Sequence, residues 1–376
     1  MDYPVLSILL YLPLPAYILM VAIFWFQWHR QGHRQPYPET VPATFLSVVV
    51  AARNEAHTIP VLLQKLDKQH YPSHLYEILV IDDHSEDDTA IIAEQHIQNA
   101  SLSLRLLRAE GTGKKSALRQ GIREAKGKLI VTTDADCIPG PFWLQRIEAF
   151  YRQHNLRMVL GPVAIEPGSS LFGQMQSIEF ASLVGSGAAS LQLGIPSMCN
   201  GANLAFDKET FLAVGGYSGT DHLASGDDEF LMHKIAHRYP ESVRFLFDSE
   251  AAVSTRALPH WHTFVQQRLR WASKWPHYQS VTPRLLAGFV FIANLSFLLL
   301  LISVVSGLFS PLIFLITAFL KFFAEFVFLR KIVKFCGQAF NTRAFAVLEI
   351  FYPIYVSFFA IYSKRGKYIW KGRKLA

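Results

Sequence analysis

Three acidic clusters stand where apolar runs begin or end. Asp82 and Asp83 close "YEILVIDD" (76–83), Asp134 and Asp136 close "KLIVTTDAD" (128–136), and Asp227, Asp228 and Glu229 open "DDEFLMHKI" (227–235). Side-chain direction in an extended chain repeats every two residues, so Asp134 and Asp136 share a side. Two hard carboxylates, completed by the phosphates of a ligand, suit Mg2+ or Mn2+. A solvated turn is the competing use, because Asp often bonds its own turn. Asp83, directly after an apolar run, reads as ligand-binding, whereas Ser85, Asp87 and Asp88 read as caps of the next helix. The third cluster has two readings. Acids favour a helix N-terminus through the macrodipole, and a carboxylate placed there would deprotonate an incoming hydroxyl. "AEGTGKKSAL" (109–118) fails as a P-loop, since Arg108 and Lys115 stand where Gly and Ser/Thr are needed. It remains a Gly-rich loop that would bring Lys114 or Lys115 near phosphates.

These residues need a frame, and the pattern between 45 and 136 supplies one. "FLSVVVAA" (45–52), 76–83, 103–107 and 128–136 read as strands, and 55–69, 87–99 and 115–125 as helices. Strand–helix repeats of this length predict an α/β fold with a mostly parallel sheet covered on both faces. Ligands of such sheets bind outside the carboxyl ends of the strands. Two of the three acidic clusters sit at such ends.

The flanks are apolar. Pro4 to Trp28 carries no charge and is followed by His29 and Arg30. That order fits an uncleaved anchor with its N-terminus outside, rather than a cleavable signal or a buried core helix. "QPYPETVPAT" (35–44) reads as a proline-rich linker. Leu285 to Leu308 is a charge-free run of 24 residues. Pro311 to Leu329 follows with Lys321 and Glu325 spaced to neutralise each other or to face protein. Ala344 to Tyr362 is interrupted by Glu349 and Pro353. A full crossing there would leave "SKRGKYIWKGRK" (363–374), with six basic residues, outside. The positive-inside rule opposes that, which favours a broken or re-entrant segment over a simple span.

The net charge of +7 is unevenly spread: from Arg284 onward there are 12 Lys+Arg and 2 Asp+Glu, leaving 24 and 27 before it. The basic excess belongs to the apolar part, so it points to membrane lipids and not to nucleic acid. Cys137, Cys199 and Cys336 lie far apart without a CxxC, which argues against a disulfide framework or a zinc site.

"HWHTFVQQRLRWASKW" (260–275) interleaves tryptophans with cations and would lie at a membrane interface. An interfacial helix does not by itself account for the compact "QRLRW". Taken in order, "VVVAARNEAHTI", "IDDHSEDDT", "GTGKKSALRQG", "TTDADC", "NGANLAFDKETFLAVGGY", "GDDEFL" and "QRLRW" resemble the motifs of membrane-embedded, processive-type family 2 glycosyltransferases. That group contains cellulose, chitin and hyaluronan synthases, with ceramide glucosyltransferase a more distant relative. The chain departs from the pattern at Arg119, where Asn is usual, and at Asp227, where Glu is usual.

The resemblance implies a GT-A fold, an inverting mechanism and a nucleotide-diphospho-sugar donor, most simply a UDP-sugar. Ala52, Arg53, Glu55 and Asp83 would hold the nucleotide, with Lys114 nearby. Asp134 would help bind nucleotide and sugar, and Asp136 would coordinate Mg2+ or Mn2+ on the diphosphate. Asp228 would be the general base. Gln267, Arg270 and Trp271 would close over donor and acceptor. The implied organisation is an anchor over 1–29, a GT-A domain over 45–257 facing the cytoplasm, an interface helix over 258–283 and a membrane region with a basic tail over 284–376. The expected enzyme is a metal-dependent hexosyltransferase of the cytoplasmic membrane acting on a growing polysaccharide or a lipid-linked glycan. Three or four membrane segments make a small channel, which suits a lipid-linked acceptor or a pore completed by export or assembly subunits. A single-sugar lipid transferase and a catalytically silent membrane scaffold are the rival readings. A nucleotide-binding transporter lacks both a Walker motif and enough spans.

Overall fold

A computed structural model describes residues 4–31, 41–99, 103–220, 223, 225–274, 280–362, 368–371 and 373–375. Most of the linker expected at 35–44, Trp275 and much of the basic tail lie outside the described residues. Two helices come first, α1 (Pro4–Tyr11) and α2 (Pro13–Gln31). Then β1 (Leu46–Ala52), α3 (Ile59–Asp67), β2 (Tyr76–Asp82), α4 (Thr89–Asn99), β3 (Ser103–Arg108), α5 (Lys114–Glu124) and β4 (Leu129–Asp134) alternate. After β5 (Ile138–Pro139), α6 (Trp143–Gln153), β6 (Met158–Leu160) and β7 (Val163–Glu166) comes the 22-residue α7 (Leu171–Gln192). The chain continues through β8 (Leu204–Asp207), α8 (Lys208–Ala213), α9 (Asp227–Arg238), β9 (Val243–Phe245) and β10 (Val253–Arg256). It ends with α10 (Trp261–Ala272), α11 (Val281–Val305), α12 (Pro311–Phe335), α13 (Thr342–Tyr362) and a strand pair, β11 (Tyr368–Trp370) and β12 (Arg373–Leu375).

The chain divides into two compact units. One holds residues 34–166, 198–256 and 369–376, and the other holds residues 1–33, 167–197 and 257–368. Helix α7, which lies within the span expected over 45–257, groups with the helical unit.

In the α/β unit a seven-stranded sheet has the order β3-β2-β1-β4-β8-β6-β9. The first four strands are parallel, and β8 runs antiparallel to both neighbours. All seven residues of β2 are buried, and so are six of the seven in β1, which is why these strands read as near-continuous apolar runs rather than as alternations. Helix α5 lies so close to the sheet that a Cβ at Gly121 would come within 2.5 Å of Ile81 and Val49 side-chain atoms. The chain leaves β1 toward β2 and β3 on one side, while β4 pairs on the other. This reversal makes a crevice at the carboxyl ends of β1 and β4. Register places Ala52 opposite Asp82 and Ala51 opposite Asp134, so the acid-bearing ends are level.

In the helical unit Leu10, Leu14, Phe297, Leu300, Phe314 and Ala318 pack α1 and α2 against α11 and α12. Among the described residues four helices are long and apolar enough to cross a membrane: Ile8–Gln31, Val281–Val305, Pro311–Phe335 and Thr342–Tyr362. Leu312, Ile316, Phe319 and Phe323 on α12 stay exposed, a face that suits lipid and would be a liability in water. Helix α13 runs unbroken through Pro353. Lys321 and Glu325 both neutralise each other and face protein. The buried Lys321 amine donates to Glu325 at 2.7 Å and to Glu349 of α13 at 3.1 Å, and Tyr17 of α2 donates to Glu325 at 2.7 Å. Charges this deep persist only when paired and hydrogen-bonded.

Candidate active site

The loops after β1 and β2 are laced together. Buried Arg53 donates to the Asp83 carbonyl at 2.9 Å and to the Glu86 carboxylate at 2.8 Å. Asn54, at φ 52°, donates its N–H to Ser85 Oγ, and its side-chain oxygen accepts from the Glu86 N–H. Arg53 therefore shapes the loop with its guanidinium, leaving backbone and neighbours to face a ligand. Asp82 and Asp87 are spent locally: Asp82 accepts from the Ser85 N–H, and Asp87 accepts from the Ala56 and Thr89 N–H groups where α4 begins. Asp83 is buried, takes its place through its N–H on the Ala52 carbonyl, and accepts from the Gly113 N–H at 3.0 Å. It thus ties the β1 end to the loop that starts α5.

The two lysines of that loop part ways. Lys115 is buried and donates to the Thr220 and Leu223 carbonyls at 2.6 and 2.9 Å, fixing the segment that leads into α9. Lys114 reaches Asp134 at 2.5 Å. Burial alone would lower its pKa, but Asp134, Asp227 and Asp228 outweigh burial and hold it protonated.

Asp134, Asp136 and Cys137 place ligand atoms within 4.8 Å of one another. The Cys137 thiol is pushed well above its usual range by burial and then by Asp136 and Asp134, so it stays protonated. A protonated soft sulfur is a poor ligand for a hard cation, which leaves the two carboxylates. The Asp136 carboxyl is pushed up to about 6, first by burial and then by Asp134 and Glu55, with Lys371 and Lys114 pulling the other way. The side chain is exposed at its surface, yet burial by surrounding protein is the largest cause of the rise. Surplus negative charge at this point is what a divalent cation relieves, so the donor set fits Mg2+ or Mn2+. Thr255 Oγ1 of β10 approaches Asp136 at 3.4 Å.

The α9 acids divide their work. Gly226, in the left-handed region at φ 86°, turns the chain into the helix. Asp227 is buried, its pKa raised by burial and opposed by Lys114. Asp228 is half-buried, and its two carboxylate oxygens accept from the Gly201 and Glu229 N–H groups at 2.8 Å each. The Gly201 carbonyl in turn accepts from Thr132 of β4 at 2.8 Å. Asp228 and Asp136 are therefore indexed to the same strand.

Sequence reasoning missed Lys371. At the turn between β11 and β12, with φ 45°, it donates to the Arg53 carbonyl at 2.8 Å and also to the Glu55 carboxylate. Its tail reads as membrane-directed basic charge, and only the glycine after "YIWK" hints at a turn. Gln267, Arg270 and Trp271 lie on α10 in the helical unit, where Gln267 and Trp271 both contact Arg268.

Residues 47–211 match the model of glycosyl transferase family 2. The chain is 31% identical over 238 residues to a poly-beta-1,6-N-acetyl-D-glucosamine synthase of Staphylococcus epidermidis, covering 60% of this chain and 53% of that protein. A Staphylococcus aureus (strain COL) protein of the same name is 33% identical over 180 residues, 47% of this chain and 42% of that one. The chain thus spans about half the length of the curated relatives it matches. Among solved structures it resembles the mannosyltransferase PcManGT of Pyrobaculum calidifontis, solved with GDP-Man and Mn2+. That likeness has a TM-score of 0.57 at 19% identity and covers 96% of this chain and 98% of that one. The α/β unit has a GT-A-like fold.

Proposed function

We propose that this protein is an inverting glycosyltransferase of the membrane that moves a sugar from a nucleotide-diphospho-sugar to a hydroxyl of a growing polysaccharide or lipid-linked glycan. The observation that carries the reading is that Asp83 follows β2 directly while Asp134 ends β4 and Asp136 lies two residues beyond, at the sheet's switch point, with Asp228 tied through Gly201 to β4. The similarity to polysaccharide synthases of staphylococci supports the acceptor class.

The chain's own groups divide the work. The loops that carry Ala52, Arg53, Glu55 and Asp83 hold the nucleotide, and Lys114 and Lys371 face the diphosphate. Asp136 and Asp134 would hold a divalent cation, which would supply charge neutralisation for the leaving diphosphate. Asp228 accepts the proton of the acceptor hydroxyl as its oxygen attacks C1, and the bond from C1 to the diphosphate oxygen breaks with its electron pair leaving on that oxygen. Attack opposite the leaving group inverts the anomeric centre. Gln267, Arg270 and Trp271 close over donor and acceptor, with Trp271 offering a flat face to a sugar ring. Membranes incubated with labelled UDP- and GDP-sugars and Mn2+ test this. A long product extends the polysaccharide reading, a chloroform-soluble product one sugar larger than its acceptor supports single transfer to lipid, and no transfer from any donor overturns both.

Lys371 gives a sharper expectation. Glu55, Asp134 and Asp136 outnumber Lys114 and Lys371, so the site is net negative until a cation binds, and a diphosphate then adds its own charge. Lys371→Met removes a charge-assisted contact, and kcat/KM for the donor is expected to fall about tenfold to a hundredfold, mostly in KM. An unchanged donor KM would remove Lys371 from the site. This reading has the tail on the side of the α/β unit, which requires that an even number of α11, α12 and α13 cross the bilayer. A reporter fused to the C-terminus is expected to be active on the side that binds nucleotide; activity on the opposite side contradicts the docking of Lys371 on Glu55.

A further inference from the structure

Within the helical unit Arg268, the residue of "QRLRW" between Gln267 and Leu269, ties the segment to two other helices. Arg268 is buried, and its guanidinium is held edge-on by Glu179 of α7, Nε to Oε1 at 3.2 Å and a terminal nitrogen to Oε2 at 2.5 Å. Tyr355 of α13 donates to the same Oε1 at 2.8 Å. The guanidinium carbon lies over the rings of Phe264 and Trp271, 4.4 and 4.3 Å from their centroids. Its remaining terminal nitrogen donates to the Gln267 side-chain oxygen. Trp271 is braced further by Phe180 at a ring distance of 5.8 Å.

We propose that Glu179 and Arg268 are positioning residues for this segment: Glu179 fixes the plane of the Arg268 guanidinium, and that plane fixes the Gln267 amide and the Trp271 ring. This rests on the reading in which Gln267 and Trp271 close over donor and acceptor. A guanidinium has donors only in its plane and an apolar face above and below, so one orientation satisfies Glu179, Gln267 and both rings together. Because Arg268 holds the Gln267 oxygen, the orientation of the amide is set and its N–H donors point away from the guanidinium, where they match oxygen acceptors such as sugar hydroxyls. Lysine cannot substitute, since an ammonium has neither the plane nor the fork. Glu179 and Tyr355 lie on α7 and α13, so the segment is set by helices that pack among the membrane-spanning ones.

Arg268→Lys and Glu179→Gln in the full-length protein test this, together with the charge exchange Glu179→Arg/Arg268→Glu. Each is assayed for melting in detergent, UDP binding and transfer. Arg268→Lys and Glu179→Gln are expected to bind UDP as the wild type does while kcat/KM for the acceptor falls about tenfold to a hundredfold, the scale of a small misplacement of reacting groups. The exchange is expected to regain melting temperature but not transfer, because the guanidinium no longer sits over Phe264 and Trp271. Normal transfer by Arg268→Lys, or recovery of transfer with stability in the exchange, would reduce the pair to a structural tie and overturn the proposal. If Arg268→Lys does not fold, Glu179→Gln, which keeps shape and a neutral acceptor, decides alone. Absence of transfer by the wild type from any donor would instead overturn the glycosyltransferase reading, so the two failures are distinct.

Discussion

Asp228→Asn is expected to lower sugar transfer by about a hundredfold to ten-thousandfold, the range a positioned general base contributes, while nucleotide binding stays within about twofold. The split follows from where the side chain sits. Asp228 lies on the first turn of α9, half-buried, with one oxygen on the Gly201 N–H and the other on the Glu229 N–H. These bonds hold the carboxylate in one orientation and leave each oxygen a second lone pair. Asp227 beside it is buried, and Lys114 acts on it, so it is not the carboxylate an acceptor would meet. Asparagine keeps the size but has no atom basic enough to take a hydroxyl proton. Its amide nitrogen also faces one of the two N–H donors, which costs local order and leaves Asp83, Asp134 and Lys114 in place. Measuring product formation and UDP binding on the same preparation separates the two. Transfer at the wild-type rate would mean that another group takes the proton.

How much of this was legible in sequence varies with the kind of force involved. The alternation of β1 to β4 with α3 to α5 is visible because buried parallel strands need apolar β-branched runs and their helices need one apolar stripe. The acids at strand ends are visible for the same reason, since they interrupt such runs. Helix α7 is not visible as a member of the helical unit. Ten of its 22 residues are Gly, Ala or Ser and its single charge is Glu179, a composition suited to close approach and not to a stripe. A Cβ at Gly185 would come within 2.0 Å of Ile332 on α12. Lys371 and the Glu179–Arg268 pair were hidden differently. Each joins residues remote in sequence, 316 positions apart for Lys371 with Glu55 and 89 for Arg268 with Glu179, and no local pattern encodes such a partner. Arg53 shows the converse. The resemblance implies a nucleotide contact, yet the guanidinium bonds the loop after β2, so its part in the site is to shape a backbone.

Asp136→Ala is expected to lower transfer about a thousandfold or more, the several kcal/mol that a cation contributes at a leaving group, without loss of fold. The stability expectation has a sign that can be worked out. The Asp136 carboxyl is pushed up to about 6, so between its ordinary value near 4 and about 6 the folded chain binds more protons than the unfolded one. Stability of the empty protein therefore falls as pH rises through that window, and above it the ionised Asp136 is a burden to the fold. Alanine removes the burden. The variant should melt no lower than the wild type at pH 7.5 without added metal. Mn2+ should then raise the melting temperature of the wild type and leave the variant unmoved, because only the wild type binds it. Cation binding also has to displace the proton, so the Mn2+ needed for half-maximal transfer should rise about tenfold for each pH unit below about 6 and level off above it. Lys371→Met removes one of the charges that pull this carboxyl down, which should move that break to higher pH. Equal Mn2+ stabilisation of both proteins, or normal turnover by Asp136→Ala, would place the cation elsewhere and take the central carboxylate out of the mechanism.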